Sequence, residues 1–440
     1  MFGFGFIIKA GLLEKVFVTP QITMKIVALT KYFPPEIGTA SHLFFELCET
    51  LVQHGHQVTA ITGMPWYNLS EVDPRYRGRL VLKEQLNGIK VIRIAEPPFP
   101  SDQRVKLGHV TAPLMFCLAG LLEHAPDVVA VYSPPLMMGL TAQVLSRVWG
   151  VPFVFNAQDL YPQCLIDLGQ LRNPVLIRLF EEMESYIYRK ASFITVHSQG
   201  NMNFLVNTKG VSPEKIEVAH NWVDTDLISP GSRNNEFAQQ HGLTEKFVVS
   251  FAGTMGISQG IASVVEAAAV LQAYPDILFL LVGGGIEKEL AERRTQELDV
   301  KNIKFLPMQP RETYPQILQA SDVCLVTLRK DIKTPVVPSK IMGIMAAGRS
   351  VLASIPLHGD APRLIDEAQS GICVEPENPE ALAGAILRLY QEQELRESFG
   401  QNGRHYAVTH FSREGGVARY ETLFQEAINR HKIRKAITVL

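Results

Sequence analysis

From Met24 to Ser354 the chain repeats one pattern: a short run rich in Val, Ile and Phe, then a stretch whose apolar residues recur at helical spacing. Such runs are strands buried on both faces, and intervening helices make consecutive strands parallel. The pattern therefore calls for an α/β fold with helices on both faces of a parallel sheet. The runs form two series. KIVALT, HQVTAIT, KVIRI, DVVAVYS, FVFNAQ and FITVHS make the first; FVVSFAG, ILFLLVGGG, NIKFLP, VCLVTL and SVLAS, beginning at Phe247, make the second. Ala40 to His54 and Gly139 to Trp149 read as helices of the first series, and the chain turns helical again from Pro379 to about Tyr406 and from Arg413 to Arg430.

Two series predict two tandem Rossmann-like domains facing a cleft, in line with a length of 440 residues, too long for one ordinary core. VDTDLISPGSRNN, residues 223–235, gathers Pro, Gly, Ser and Asn without helical pattern and reads as the linker. The expected organisation is an N-terminal extension over 1–23, a first domain over 24–225 completed by a C-terminal helix at 411–432, and a second domain over 226–410. The extension reads as a loosely ordered segment or an upstream translation start, because its apolar opening is short and broken by Lys9, Glu14 and Lys15.

Composition narrows the function classes. A net charge of −2 gives no footprint for nucleic acid. The five cysteines stand singly without metal-ligand spacing, which predicts reduced thiols, a cytoplasmic location and no metal site. The longest apolar stretch, Val110 to Leu122, is shorter than the roughly 18 residues that span a bilayer. VTAPLMFCLAGLLEH, residues 110–124, is apolar nearly all round and reads either as a buried helix or as an interfacial one. Arg75, Arg77, Arg79, Lys83, Arg104 and Lys106 precede it, company that would favour the cytosolic face of a membrane.

Candidate site residues lie where strands give way to helices. In YFPPEIGTAS, residues 32–41, Gly38 and Thr39 precede a helix, either as an ordinary turn or as a place where backbone N–H groups meet an anion or a sugar oxygen. FAGTMGISQG, residues 251–260, brings Gly253, Thr254, Gly256 and Gln259 after a strand, and LVGGG brings Gly283 and Gly284. In TPVVPSKIMGIMAAGRSVLAS, residues 334–354, Pro338 starts a helix that runs to Gly348, with Ser339, Lys340 and Ile341 in its first turn. Lys340 is either a cleft cation or a solvated surface lysine, and Arg363 or Arg349 is the next cation along the chain for that role. Ser133 and Pro134 end one strand of the first series. Asp159, in QDLYP, ends the next and either binds an acceptor hydroxyl, acts as a base or holds its loop in an Asx turn. His197 ends a further strand. The DTD triplet of Asp224 and Asp226 sits in the linker, the wrong place for a metal site, and His54 and His56 read as helix-end residues.

Taken in order, YFPPEIGTASHLFFELCETLVQHGHQVTAITG, SPPLMMGL, PFVFNAQDLYP, EKIEVAHNWVD, FAGTMGISQG and PSKIMGIMAAGRSVLAS resemble retaining glycosyltransferases of the GT-B fold, similar to family 4 and to the bacterial branch that builds O-antigen, capsule and exopolysaccharide. The resemblance implies transfer of a hexosyl or N-acetylhexosaminyl unit from a nucleoside diphosphate sugar to a glycan or a polyprenyl diphosphate-linked acceptor, without metal or other cofactor. It puts the donor on Gly253, Thr254, Gly256, Gln259, Gly283, Gly284, Ser339, Lys340, Ile341 and Arg363, and the acceptor on Gly38, Thr39, Ser133, Pro134 and Asp159, with Lys340 and Asp159 catalytic. Two departures stand out: the family's paired glutamates, which contact donor sugar and ribose, fall here on Pro335 and Gly343, and its basic pair falls on Thr254 and Gln259. A catalytically idle nucleotide-sugar-binding subunit and a sugar-nucleotide epimerase of the same fold are the alternatives.

Overall fold

The computed structural model describes residues 23–66, 69, 71–97 and 101–439. The expectation for the N-terminal extension thus falls, but for residue 23, outside the described residues. The first sheet contains β1 (Lys25–Leu29), β2 (Gln57–Gly63), β3 (Val81–Leu86), β4 (Ile89–Ile94), β5 (Val128–Ser133), β6 (Phe153–Ala157), β7 (Phe193–Val196) and β8 (Ile216–Val218). Its helices are α1 (Thr39–Gln53), α2 (Ser101–Leu121), α3 (Met138–Trp149), α4 (Gln163–Asp167), α5 (Pro174–Lys190) and α6 (Gln199–Asn207). The second sheet contains β9 (Phe247–Ala252), β10 (Ile277–Val282), β11 (Ile303–Leu306), β12 (Val323–Thr327), β13 (Ser350–Ser354) and β14 (Gly371–Val374). With it go α7 (Glu236–His241), α8 (Ala262–Val270), α9 (Ile286–Glu297), α10 (Tyr314–Gln319), α11 (Lys340–Ala346), α12 (Asp360–Glu367), α13 (Pro379–Gln391) and α14 (Gln393–His410), and α15 (Arg413–Val439) closes the chain.

The strand orders are β3-β4-β2-β1-β5-β6-β7-β8 and β11-β10-β9-β12-β13-β14. Each sheet runs outward from its first strand and then returns to the other side of it, so the order reverses between β1 and β5 and between β9 and β12. Beyond the carboxyl ends of strands at such a reversal the flanking loops diverge and leave a crevice. One strand departs from the parallel expectation. β3 runs antiparallel to β4 at the sheet edge; its VLKEQL sequence alternates exposed and half-buried residues, as an edge strand with one solvated face does.

In β1, Ile26 and Ala28 pack toward α1 and α15, whereas Val27 and Leu29 pack toward α2, α3 and α5. α15 therefore belongs to the first sheet although it follows the second in sequence. Val417, Tyr420, Leu423, Phe424, Ala427 and Ile428 supply its buried stripe. His54 and His56 tie its polar side down, both bonding the Glu421 carboxylate, at 2.9 and 2.8 Å. The chain thus crosses between domains twice, and the crossings touch: the Val223 N–H donates to Phe411 O at 3.0 Å, and Val223 and Ser412 form a parallel bridge.

The apolar stretch of α2 is neither wholly buried nor apolar without consequence. Ala112 and Phe116 face the core, while Val110, Leu114, Leu118, Leu121 and Leu122 are exposed, Leu114 at 64% and Leu122 at 85%. Val148 of α3 and Val175 and Leu179 of α5 are exposed on the neighbouring helices. Three of the six basic residues expected beside this face have carboxylate partners: Arg75 pairs with Asp73 and Glu84, Arg77 with Glu71 and Lys83 with Glu123. The side chains of Arg104 and Lys106 lie outside the described residues.

Because Phe424 is fully buried between α15 and the first sheet, Phe424→Ala is expected to cost about 3–5 kcal/mol. In urea unfolding followed by domain-specific probes, the first-domain transition should move to lower urea and the second-domain transition should stay.

Candidate active site

The crevices of the two sheets face each other across a cavity of about 410 Å³. Ile37, Gly38 and Thr39 reach it from the loop after β1, and Gly253, Thr254, Gly256 and Gln259 from the loop after β9. Met308 to Arg311 reach it after β11, and Ser339 and Lys340 at the start of α11. The loops meet directly, with Thr39 Oγ1 2.9 Å from Ser339 Oγ. Residues expected on opposite substrates, Gly38 and Thr39 against Ser339 and Lys340, thus line one cavity.

Lys340 is not the exposed surface lysine that its place near a helix start allowed. α11 begins at Lys340, two residues later than Pro338 suggests, with Ser339 before it. The Lys340 side chain runs back over the β9 loop, its Nζ 4.7 Å from the centre of the Phe251 ring and 3.2 Å from Gln259 Oε1, to which it donates. This approach explains Gly253. At φ 138° it holds a conformation that favours glycine, and a Cβ there would lie 2.6 Å from Lys340 Cε. Lys340 has no carboxylate partner within ion-pair distance among the described residues. Burial without a counter-charge pushes its pKa down from 10.5 to about 8.

The LVGGG loop has a different part from the one its glycines suggest. Gly283 and Gly284 do not line the cavity. A Cβ on Gly283 would sit 1.9 Å from Gly253 O, and one on Gly285 2.4 Å from Met255 O, so this loop backs the first at backbone contact. Ile341 is fully buried in the apolar layer beneath α11. Arg363 also stands outside the lining, paired with Asp360 at 2.5 Å and with Glu367 at 3.6 Å. Asp360 in turn accepts from Gly200 N–H at 2.6 Å, joining the second domain to the first. Arg349 donates to the carbonyls of Gly231 and Gln319.

Ser133, Pro134 and Asp159 lie at the ends of β5 and β6, apart from the cavity. Ser133 is buried with its hydroxyl unpartnered. Asp159 is open to solvent but crowded by protein, including Tyr132, Tyr161 and Cys164, and desolvation raises its carboxyl to about 6. His197 is buried and pushed down to about 4, first by desolvation. In the linker, Asp224 Oδ1 accepts from the N–H groups of Asp226 and Leu227, a local turn. No cluster of three His, Cys, Asp or Glu side chains suited to a metal ion occurs among the described residues.

Sequence reasoning missed one charged contact in the lining. Arg311 crosses from the second domain to pair with Glu46 of α1 and to meet His42 Nδ1 at 3.4 Å, and Glu46 also accepts from Trp222 Nε1 at 2.8 Å. Burial and then the Arg311 cation push His42 down to about 4. The partners are 265 residues apart, and no local pattern in either segment announces the pair.

Comparisons with known proteins divide the chain at the same cleft. Residues 38–222 match the family described as glycosyl transferase 4-like domain, and residues 233–406 that described as glycosyl transferases group 1. The chain is 25% identical over 374 residues to the putative colanic acid biosynthesis glycosyl transferase WcaI of Escherichia coli, spanning 82% of this chain and 91% of that protein. It is 24% identical to the D-inositol 3-phosphate glycosyltransferase of Corynebacterium glutamicum, spanning 77% and 82%. Among solved structures, sucrose-phosphate synthase from Thermosynechococcus elongatus superposes with a TM-score of 0.72 at 18% identity, covering 92% of this chain and all of that one. HepE of Anabaena superposes at 0.69 and 18% identity, covering 91% and 99%. Two family domains in this order, folded as two facing α/β sheets, make the chain a glycosyltransferase of the GT-B type, which transfers sugar from a nucleotide-sugar.

Proposed function

We propose that the chain transfers a hexosyl or N-acetylhexosaminyl unit, with retention at the anomeric carbon, from a nucleoside diphosphate sugar to a glycan or polyprenyl diphosphate-linked acceptor at a membrane surface. The observation that carries the donor half is Lys340, a cation packed into the cavity wall beside Gly253 with no carboxylate to neutralise it. A site of that kind is short of one anion, and a diphosphate supplies it. HepE, which shares the fold, was solved in complex with UDP and glucose, and this supports the same donor class here. As the bond from sugar to diphosphate breaks, negative charge grows on the leaving phosphate. A preorganised ammonium stabilises that charge more than it stabilises the ground state. Closure of the domains over a bound donor would keep out water that otherwise hydrolyses it.

No metal enters this reading, because Lys340 does the work that a divalent ion would do. Release of free nucleoside diphosphate should require an acceptor, and its rate in EDTA should match that in magnesium. Loss of activity on chelation with recovery on adding metal would refute the mechanism, and release that needs no acceptor would refute transfer.

Lys340→Ala is expected to lower kcat roughly a hundredfold, the scale for one charge-stabilising group. The pH dependence has a definite sign. Lys340 is charged below about 8, so wild-type kcat/KM should fall as pH rises through that value, and the fall should vanish in the variant. Desolvation of the ammonium also costs about 3 kcal/mol of stability below pH 8, relieved between 8 and the unfolded value of 10.5. Lys340→Met should therefore melt a few degrees higher at pH 7 while losing kcat on the same roughly hundredfold scale.

The membrane half rests on the apolar residues that α2 and the neighbouring α3 and α5 leave exposed, since clustered exposed apolar side chains mark contact sites. No helix among the described residues is long and apolar enough to cross a bilayer, which leaves contact from one side. Because Arg75, Arg77 and Lys83 already have carboxylate partners, apolar burial drives this contact. In flotation with anionic vesicles, Leu114→Ser with Leu118→Ser should reduce binding severalfold, whereas Arg75→Ala with Arg77→Ala should change it little. Absence of binding by the wild type would point to a soluble acceptor.

A further inference from the structure

α10 begins at Tyr314, whose ring packs between two apolar layers of the second domain while the residue lines the cavity. Its hydroxyl forms no hydrogen bond with the described residues. Half-buried and lining the cavity, the residue offers a phenol that can both donate to and accept from an incoming ligand. Opposite it stands Gly343, one turn along α11 from Lys340. A Cβ at Gly343 would lie 3.1 Å from Tyr314 Oη, so any side chain there would crowd the hydroxyl. Gly343 has no left-handed φ to require glycine, and glycine inside a helix costs up to about 1 kcal/mol against alanine. What it provides is space above the tyrosine hydroxyl, on the cavity side.

We infer that Tyr314 is a specificity-determining residue that hydrogen-bonds a ribose hydroxyl of the nucleotide, in the space that Gly343 leaves open. This rests on the reading that the cavity takes a nucleoside diphosphate sugar. With the diphosphate against Lys340, the ribose follows one ester linkage away, and one turn along α11, on the same cavity, the Tyr314 hydroxyl stands over Gly343. A ribose hydroxyl is neutral and both donates and accepts, and so does a phenol. Burial keeps Tyr314 protonated by raising its pKa, so the match holds across the physiological range.

The test uses the full chain and isothermal titration with UDP, GDP and ADP, then the 2′-deoxy and 3′-deoxy forms of whichever binds most tightly. The wild type should prefer the ribonucleotide over at least one deoxy form by roughly three- to tenfold, the range for one hydrogen bond. Tyr314→Phe keeps the ring and should bind ribo and deoxy forms alike, having lost affinity for the ribonucleotide only. Gly343→Ala, which places a methyl against the hydroxyl, should lose the same preference by a second route. A Tyr314→Phe protein that keeps the full preference overturns the inference and leaves the donor site standing, as does a wild type without preference. Failure of the wild type to bind any of the three nucleotides overturns the donor reading itself and this inference with it.

Discussion

A lysine ammonium held against the cavity wall without a counter-charge is the constraint on which the architecture of the second domain turns. For Lys340 to lie across the β9 loop, Gly253 must lack a side chain; for that loop to hold its course, Gly283 and Gly285 must let their own loop touch its carbonyls. Three glycines in two segments thus serve one placement. The arrangement is costly in isolation, since desolvation of the ammonium opposes folding at neutral pH. Such a cost persists where a ligand of opposite charge recovers it, and local strain of this kind concentrates at functional sites.

The two sheets were legible because their strands are buried on both faces. VVAVYS and ILFLLV can hardly be anything else in a chain so regularly interrupted by helical stretches. β3 was not, because an edge strand keeps one face in water and VLKEQL carries no continuous apolar run. The α2 stretch was ambiguous for a related reason. Composition reports that a helix is apolar, and only packing reports which of its faces has a partner.

The site divides in the same way. Gly253 and Lys340 follow strand ends, which local pattern can locate, and both line the cavity. The glycines at 283 and 284 look alike in sequence, yet they differ from Gly253 in what lies against them, a carbonyl for Gly283 and open space for Gly284. The Arg311–Glu46 pair and the Tyr314–Gly343 juxtaposition depend on segments distant in the chain. Nothing in RETYP or KIMGIM foretells that a hydroxyl from one will stand over a missing side chain in the other.

The double crossing between domains has a mechanical consequence. A single connecting strand would leave one domain free to swivel in every direction. Here Val223 is hydrogen-bonded to Phe411 and bridged to Ser412, so the joint is a ribbon two chains wide. A ribbon bends across its face far more readily than it twists or bends in its own plane. The cleft therefore has one soft direction, that of a book on its spine, and the bonds of Thr39 to Ser339, Gly200 to Asp360 and Glu46 to Arg311 lie between its pages. Substrates that enter and leave by that motion find the same residues facing each other at every closure.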